Sequence, residues 1–174
     1  MHLTPTREDH RIAWLTALAI VIHIAESALP SPLPGIKPGL ANVITVAVLL
    51  RYGWASAAWV ALLRVLVGSL LLGTFLSPTF VLSAGGALGS ILVLGLASRL
   101  PFGGLGPVGY CALAAQAHMA GQFGLAYALF IPHAALLHLF PVLMSAALLF
   151  GVLSGIITAI MLKALPPQHH APAA

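Results

Sequence analysis

His23, Glu26, Lys37, Asn42, Arg64, His118 and Gln122 stand inside or beside long apolar runs in a chain that is otherwise almost free of charge. A charged side chain at mid-bilayer costs at least about 2.5–3.5 kcal/mol on insertion scales, so such residues need a partner or a purpose. His23 and Glu26 are three residues apart, and His118 and Gln122 four apart, so each pair shares a helix face. Counting about 1.5 Å per residue along the expected spans puts His23, Arg64 and His118 at one depth, about 15–17 Å from the end where the first span begins. Glu26 and Gln122 follow one turn further out, and Lys37 and Asn42 mark the mouth. The set describes a polar column with a positive balance. Its natural complement is a carboxylate or a phosphate, since arginine offers either group a bidentate fork. The competing reading is a structural network in which Arg64 pairs with Glu26 and the histidines bond to main-chain carbonyls.

Other chemistries find less support. His23, His118 and Glu26 are metal-ligand types, but no H-x-x-x-H or cysteine motif accompanies them, so no metal site is expected. The two lysines, Lys37 and Lys163, are followed by Pro38 and Ala164, which excludes a Walker A motif and ATP hydrolysis by this chain. Asp9 is the single aspartate, so there is no aspartate pair to hold magnesium diphosphate. No nucleophile–base pair is recognisable, and neither a catalytic residue nor a cofactor is expected.

The elements that position these residues are read from an unusual composition. The 174 residues are 60% hydrophobic and 6% charged, with a mean hydropathy of +1.06. Soluble domains carry about 25% charged residues, so the chain is expected to be an all-α integral membrane protein without a sizeable water-soluble domain. The net charge of +4 then bears on topology before nucleic acid, which is not expected as a partner. Cys111 is the only cysteine, which excludes an intrachain disulfide and a cysteine zinc cluster. The first apolar run is about as long as a membrane span and has no clear small-x-small cleavage site, so no cleavable signal peptide is expected.

Six spans are expected, over about 12–29, 40–50, 54–73, 80–98, 107–130 and 137–162. Residues 1–11 form an N-terminal tail, 12–163 the membrane domain and 164–174 a disordered C-terminal tail. The second segment is too short to cross alone, since a helical crossing needs about 20 residues. It must borrow length from the proline-punctuated stretch Pro30–Asn42 or lie partly re-entrant. In that stretch four prolines fix φ, and Gly35 and Gly39 allow tight bends. Arg51-Tyr52-Gly53 and Ser77-Pro78 break the apolar pattern. With both ends inside, the inner segments hold Arg7, Arg11, Arg51, Arg99 and Lys163, and the outer ones only Lys37, as the positive-inside rule requires. Gly85 with Gly89, Ala117 with Gly121, and Gly151 with Gly155 place small residues four apart, which permits close helix approach.

The runs Pro-Leu-Pro-Gly-Ile-Lys-Pro-Gly-Leu-Ala-Asn, Leu-Leu-Arg-Val-Leu-Val-Gly-Ser-Leu-Leu-Leu-Gly and Ala-His-Met-Ala-Gly-Gln carry a resemblance spanning about residues 12 to 163. They look like a small bacterial membrane family called heptaprenyl diphosphate synthase component I, also known as the Gx transporter family. Lys37, Asn42, Arg64, His118 and Gln122 match its pattern. The chain departs from it at Pro38, where the family has Leu, and at Met119-Ala120, where it has Asn-Leu. The family is similar to the substrate-binding S components of energy-coupling factor (ECF) transporters, six-helix proteins that dock on a membrane coupling subunit with two ATPases. The resemblance implies a multi-pass protein of the bacterial cytoplasmic membrane that binds a small molecule, with Ala13 and Ala17 as a docking face on the first helix.

Three functions follow as expectations. The first is a substrate-binding subunit: Lys37 and Asn42 guard the mouth, Arg64, His118 and Gln122 hold an anionic small molecule, and Glu26 and His23 orient Arg64. The second is a non-catalytic membrane subunit of a heptaprenyl diphosphate synthase. The third is a membrane scaffold.

Overall fold

A computed structural model of the protein describes residues 6–28, 41–99 and 105–165, with the side chains of residues 7, 8, 26–28 and 41 left aside. Among the described residues all regular structure is helical. The order is α1 (Arg7–Ala28), α2 (Ala41–Tyr52), α3 (Trp54–Leu71), α4 (Pro78–Arg99), α5 (Pro107–Leu125), a π-helical turn (Ala126–Phe130), α6 (Ala134–Leu137) and α7 (Phe140–Ala164). Three helices among the described residues are long and apolar enough to cross a membrane: α3, α4 and the joined α6–α7 stretch 134–164. A helix satisfies its own main-chain groups, which is what allows such segments to sit in hydrocarbon. α7 turns Leu148, Leu149, Val152, Leu153, Ile156 and Ile160 outward, an apolar surface too large for a protein face in water.

Packing runs from α1 to α3 to α4 to α5 to α7, and α2 touches α1, α3, α5 and α7. α2 is therefore the central post, and every residue from Asn42 to Leu49 is buried. Its twelve residues reach only about 18 Å, so the expected short second segment is found as a short helix. Gly53 alone separates it from α3, with φ +89°. That left-handed value favours glycine and explains why the helix breaks there. The expected break at Ser77-Pro78 is also found: Ser77 Oγ accepts from Phe80 N at 3.3 Å, and Pro78 opens α4 where no donor is needed.

Contacts between neighbouring helices fix which ends lie together. The Arg11 guanidinium lies 4.1 Å from the centroid of the Tyr52 ring, joining the start of α1 to the end of α2. Trp54 Nε1, at the start of α3, donates to Ile91 O at 3.0 Å. Val108, at the start of α5, lies against Gly155 of α7. Arg11, Arg51, Arg99 and Lys163 thus gather at one end of the bundle.

α1 begins at Arg7, inside the expected polar tail, because Thr6 and Asp9 cap it. Asp9 N donates to Thr6 Oγ1 at 3.2 Å, while Asp9 Oδ2 accepts from Thr6 N at 2.8 Å and from Thr6 Oγ1 at 2.7 Å. This is the capping-box logic with aspartate as the reciprocal acceptor. The main-chain donor of Thr6, then its hydroxyl, hold the Asp9 carboxyl below its ordinary value of 3.8.

All three glycine or alanine pairs of the sequence lie at main-chain crossings. A Cβ on Gly121 would come within 2.6 Å of Gly85 O, and one on Gly89 within 2.8 Å of Ala117 O. On α7, a Cβ on Gly151 would meet Ala112 Cα at 2.9 Å, and one on Gly155 would fall onto the main chain of Val108. α5 is thus clamped between α4 and α7 at backbone contact. Hydrogen bonds cross the same seams, from Ser90 Oγ to Ala114 O at 2.7 Å and from Gln116 Nε2 to Met144 O at 3.0 Å.

Two outcomes are expected. Gly121→Ala destabilises the bundle by about 1–3 kcal/mol through overpacking. Gly124→Ala, with nothing within 4 Å of the new Cβ, leaves the thermal midpoint in detergent unchanged or slightly raised. Equal midpoints for the two variants would refute the α4–α5 contact. Because the Asp9 value is depressed, its capping contribution is present above pH 3.8 and lost as pH falls through the folded value. Amide protection factors over residues 7–10 should fall on acidification in the wild type and be insensitive to it in Asp9→Asn.

Candidate functional site

Arg64 sits on the inner face of α3 and is 4% exposed. The residues flanking it on that face, Val60, Ala61, Val65 and Gly68, are buried with it, so the side chain is carried into the interior. Gly68, one turn on, accommodates the His23 ring of α1: a Cβ there would lie 3.2 Å from His23 Cδ2. His118 and Gln122 of α5 lie together on α4, where a Cβ on Gly86 would meet His118 Nε2 at 2.7 Å and Gln122 Cγ at 2.8 Å. The shared face expected of His118 and Gln122 is therefore found, with Gly86 as its floor. Asn42 is buried at the start of α2.

The described residues of the expected column fall into two glycine-floored groups, one on α1–α3 and one on α4–α5. His23 lies a turn above Arg64 rather than level with it, because its ring packs over Gly68. The bond from Trp54 Nε1 to Ile91 O sets the antiparallel register of α3 and α4. Equal rises along both helices from that bond bring Arg64 to within about one turn of Ser83. Arg64 Nε and His118 Nδ1 are buried and make no hydrogen bond of their own, although both side chains are engaged through other polar interactions. Lys37 lies outside the described residues, and of Glu26 only the main chain is described. Ala13 and Ala17 are exposed on α1, in line with the exposed Trp14, Leu18 and Val21. Among the described residues no three metal-ligand side chains stand together.

A cavity of about 190 Å³ opens between α1, α3 and α4, lined by His23, Val65, Ser69, Leu72, Thr74, Thr79, Phe80 and Ser83. Val65 and Ser69 are buried at its base, while Leu72 and Thr79 are exposed at its rim. It lies at the turn between α3 and α4, away from the end that carries the arginines. Its hydroxyls were not among the residues that sequence reasoning singled out. Serine and threonine in apolar helices commonly bond back to their own main chain, so their presence in a span carries no signal. The signal was the i, i+4 spacing of Thr79 and Ser83, continued by Gly86 and Ser90 along one face of α4.

With that geometry in hand, the comparisons with known proteins assign the family. The chain matches heptaprenyl diphosphate synthase component I over residues 15–161, and it belongs to that family. No curated protein and no solved structure matches it.

Ring placement is open to a direct check by side-chain NMR of histidine-labelled protein in detergent. Gly86→Ala should move the His118 resonances and leave those of His23 in place, because the new methyl is aimed at the His118 ring. Gly68→Ala should act chiefly on His23, and more mildly, at the longer contact distance. Equal response of both histidines to either change would contradict the two-group arrangement.

Proposed function

We propose that the chain is a membrane-embedded, non-catalytic component that works with a separate prenyl diphosphate synthase component. Family membership over residues 15–161 carries this reading. Its name implies a companion component, and the chain supplies membrane-length helices but no aspartate pair to bind magnesium diphosphate. The division of labour then follows from solubility: a long prenyl product partitions into lipid, and a component buried there receives or orients it while the partner does the chemistry. In this reading six helical segments form a bundle in the bacterial cytoplasmic membrane with both termini inside. Residues 12–163 make up that membrane domain. The arginine-bearing end faces the cytoplasm, where a water-soluble partner would dock.

A second reading is favoured by the buried Arg64 beside an open cavity. Here the chain is the substrate-binding subunit of an uptake system, with Arg64, His118 and Gln122 holding an anionic small molecule and Lys37 and Asn42 at the mouth. Glu26 and His23 orient Arg64, and an ECF-type coupling subunit docks through Ala13 and Ala17.

Purification from native membranes separates the two. Recovery of a prenyl-transferring enzyme, and a change in its product length or rate when the chain is removed, is the expected result. Recovery of ATPase subunits instead would overturn it in favour of uptake, and Ala13→Trp should then abolish that recovery. The second reading predicts that Arg64→Gln and Arg64→Lys lose ligand-dependent thermal stabilisation, because a point ammonium does not reproduce the bidentate fork. Full stabilisation in Arg64→Gln would remove Arg64 from the site.

A further inference from the structure

The cavity between α1, α3 and α4 brings together two hydroxyls that depart from the commoner pattern of the bundle. Thr16 Oγ1 of α1 is buried without a partner, but several other helical hydroxyls donate to main-chain carbonyls: Ser90 to Ala114 O at 2.7 Å, Ser98 to Gly95 O at 2.9 Å, Ser145 to Pro141 O at 2.8 Å and Thr158 to Ser154 O at 2.8 Å. At the cavity base Ser69 does the same, to Leu66 O at 2.8 Å. Thr79 and Ser83 line the cavity and, among the described residues, their hydroxyls make no hydrogen bond. The half-buried Ser83 has Thr79 O within reach of the usual back-bond, so its open hydroxyl departs from the commoner pattern. The two side chains are one turn apart on the same face of α4, so both address one volume.

Among the described residues the lining contains no carboxylate. It has the His23 imidazole, the hydroxyls, and three apolar groups, Val65, Leu72 and Phe80. Arg64, the neighbour of Val65 and one turn from the Gly68 under His23, adds a fixed positive charge behind the base. Hydroxyl and imidazole donors in front of a buried arginine favour an oxyanion over a cationic group. A volume of about 190 Å³ suits a phosphate or diphosphate head rather than a nucleotide. The apolar rim at Leu72 and Phe80 gives a lipid-soluble remainder a way out toward hydrocarbon.

We propose that this cavity is a phosphate-head site in which Thr79 and Ser83 donate to the oxyanion, His23 closes the opposite wall and Arg64 supplies charge from behind. This deepens the ligand-holding part of the function proposed above and rests on it. The head is the phosphate of a prenyl diphosphate, of a phospholipid, or of free inorganic phosphate or diphosphate, three sources with one chemistry.

The test is thermal stability of the full chain in detergent, wild type against Thr79→Val with Ser83→Ala. Four probes are added in turn: inorganic phosphate, inorganic diphosphate, farnesyl diphosphate and phosphatidylglycerol. Thr79→Val keeps the side-chain volume, and Ser83→Ala leaves no unsatisfied group, so the variant should fold with an unchanged midpoint in the absence of probe. At least one probe should stabilise the wild type, with apparent affinity falling tenfold or more in the double variant. Stabilisation by inorganic diphosphate marks a free anion. By farnesyl diphosphate alone it marks a prenyl ligand, and by phosphatidylglycerol alone a bound membrane lipid. Any of these supports the site. Failure of all four probes on the wild type, or equal binding in the variant, would overturn it; should the double variant not fold, Ser83→Ala alone takes its place, and binding equal to wild type there would overturn the site. Co-purification of the synthase partner is read separately, so the site can fall while the partnership stands.

Discussion

The constraint on which the bundle depends is the backbone contact of α5 with α4 on one side and α7 on the other. At Gly121 and Gly89 the space for a Cβ is already taken by carbonyl oxygens of the facing helix. Hydrocarbon offers no hydrophobic drive for helices to associate, so they must gain from van der Waals contact and from polar groups reaching across. Both gains need short interaxial distances. The short distance lets Ser90 reach Ala114 O and Gln116 reach Met144 O with ordinary side-chain length. It also sets His118 and Gln122 down on Gly86, where their placement follows from the crossing and needs no separate device.

α2 is the other half of this economy. A helix of twelve residues leaves room at one end of the bundle, and its burial lets the longer helices close around it. Its isolation from α3 by Gly53 alone means that the two helices turn sharply while sharing a continuous buried surface of small and β-branched side chains. Arg64 is carried on the inner face of α3 as part of that surface. The inner face is where a charge has any chance of finding polar company, since the outer face of the neighbouring helices is Leu and Ile.

Much of this was legible in the chain. Gly53 and Ser77-Pro78 were read as breaks and are breaks, because a left-handed φ and a missing donor are local requirements. The three small-residue pairs were visible as pairs, although the sequence could not say that α5 would take α4 on one face and α7 on the other. The shared face of His118 and Gln122 followed from helical spacing. The start of α1 at Arg7 was missed because the Thr6–Asp9 cap overrides the polarity of the residues after it. The π-helical close of α5 at Ala126–Phe130 was missed too, since it contains no punctuating residue where the geometry changes, and the break between α6 and α7 was missed although Pro141 stands in the first turn of α7. The equal depth assigned to His23 and Arg64 failed by one turn, because depth counted along separate helices ignores which glycine leaves room for a ring. The cavity hydroxyls were silent in the sequence for the reason that makes them informative in the structure: only their bonding distinguishes them from ordinary serines in a span.

The indole of Trp54 is pressed over Gly95 and hydrogen-bonded to Ile91 O, whereas Trp14 and Trp59 are 76% and 58% exposed. The protein therefore carries one chromophore tied to the separation of two helices and two that sense the surrounding solvent or acyl chains. Its emission is a built-in gauge of the α3–α4 seam, and that seam forms two of the three walls of the cavity.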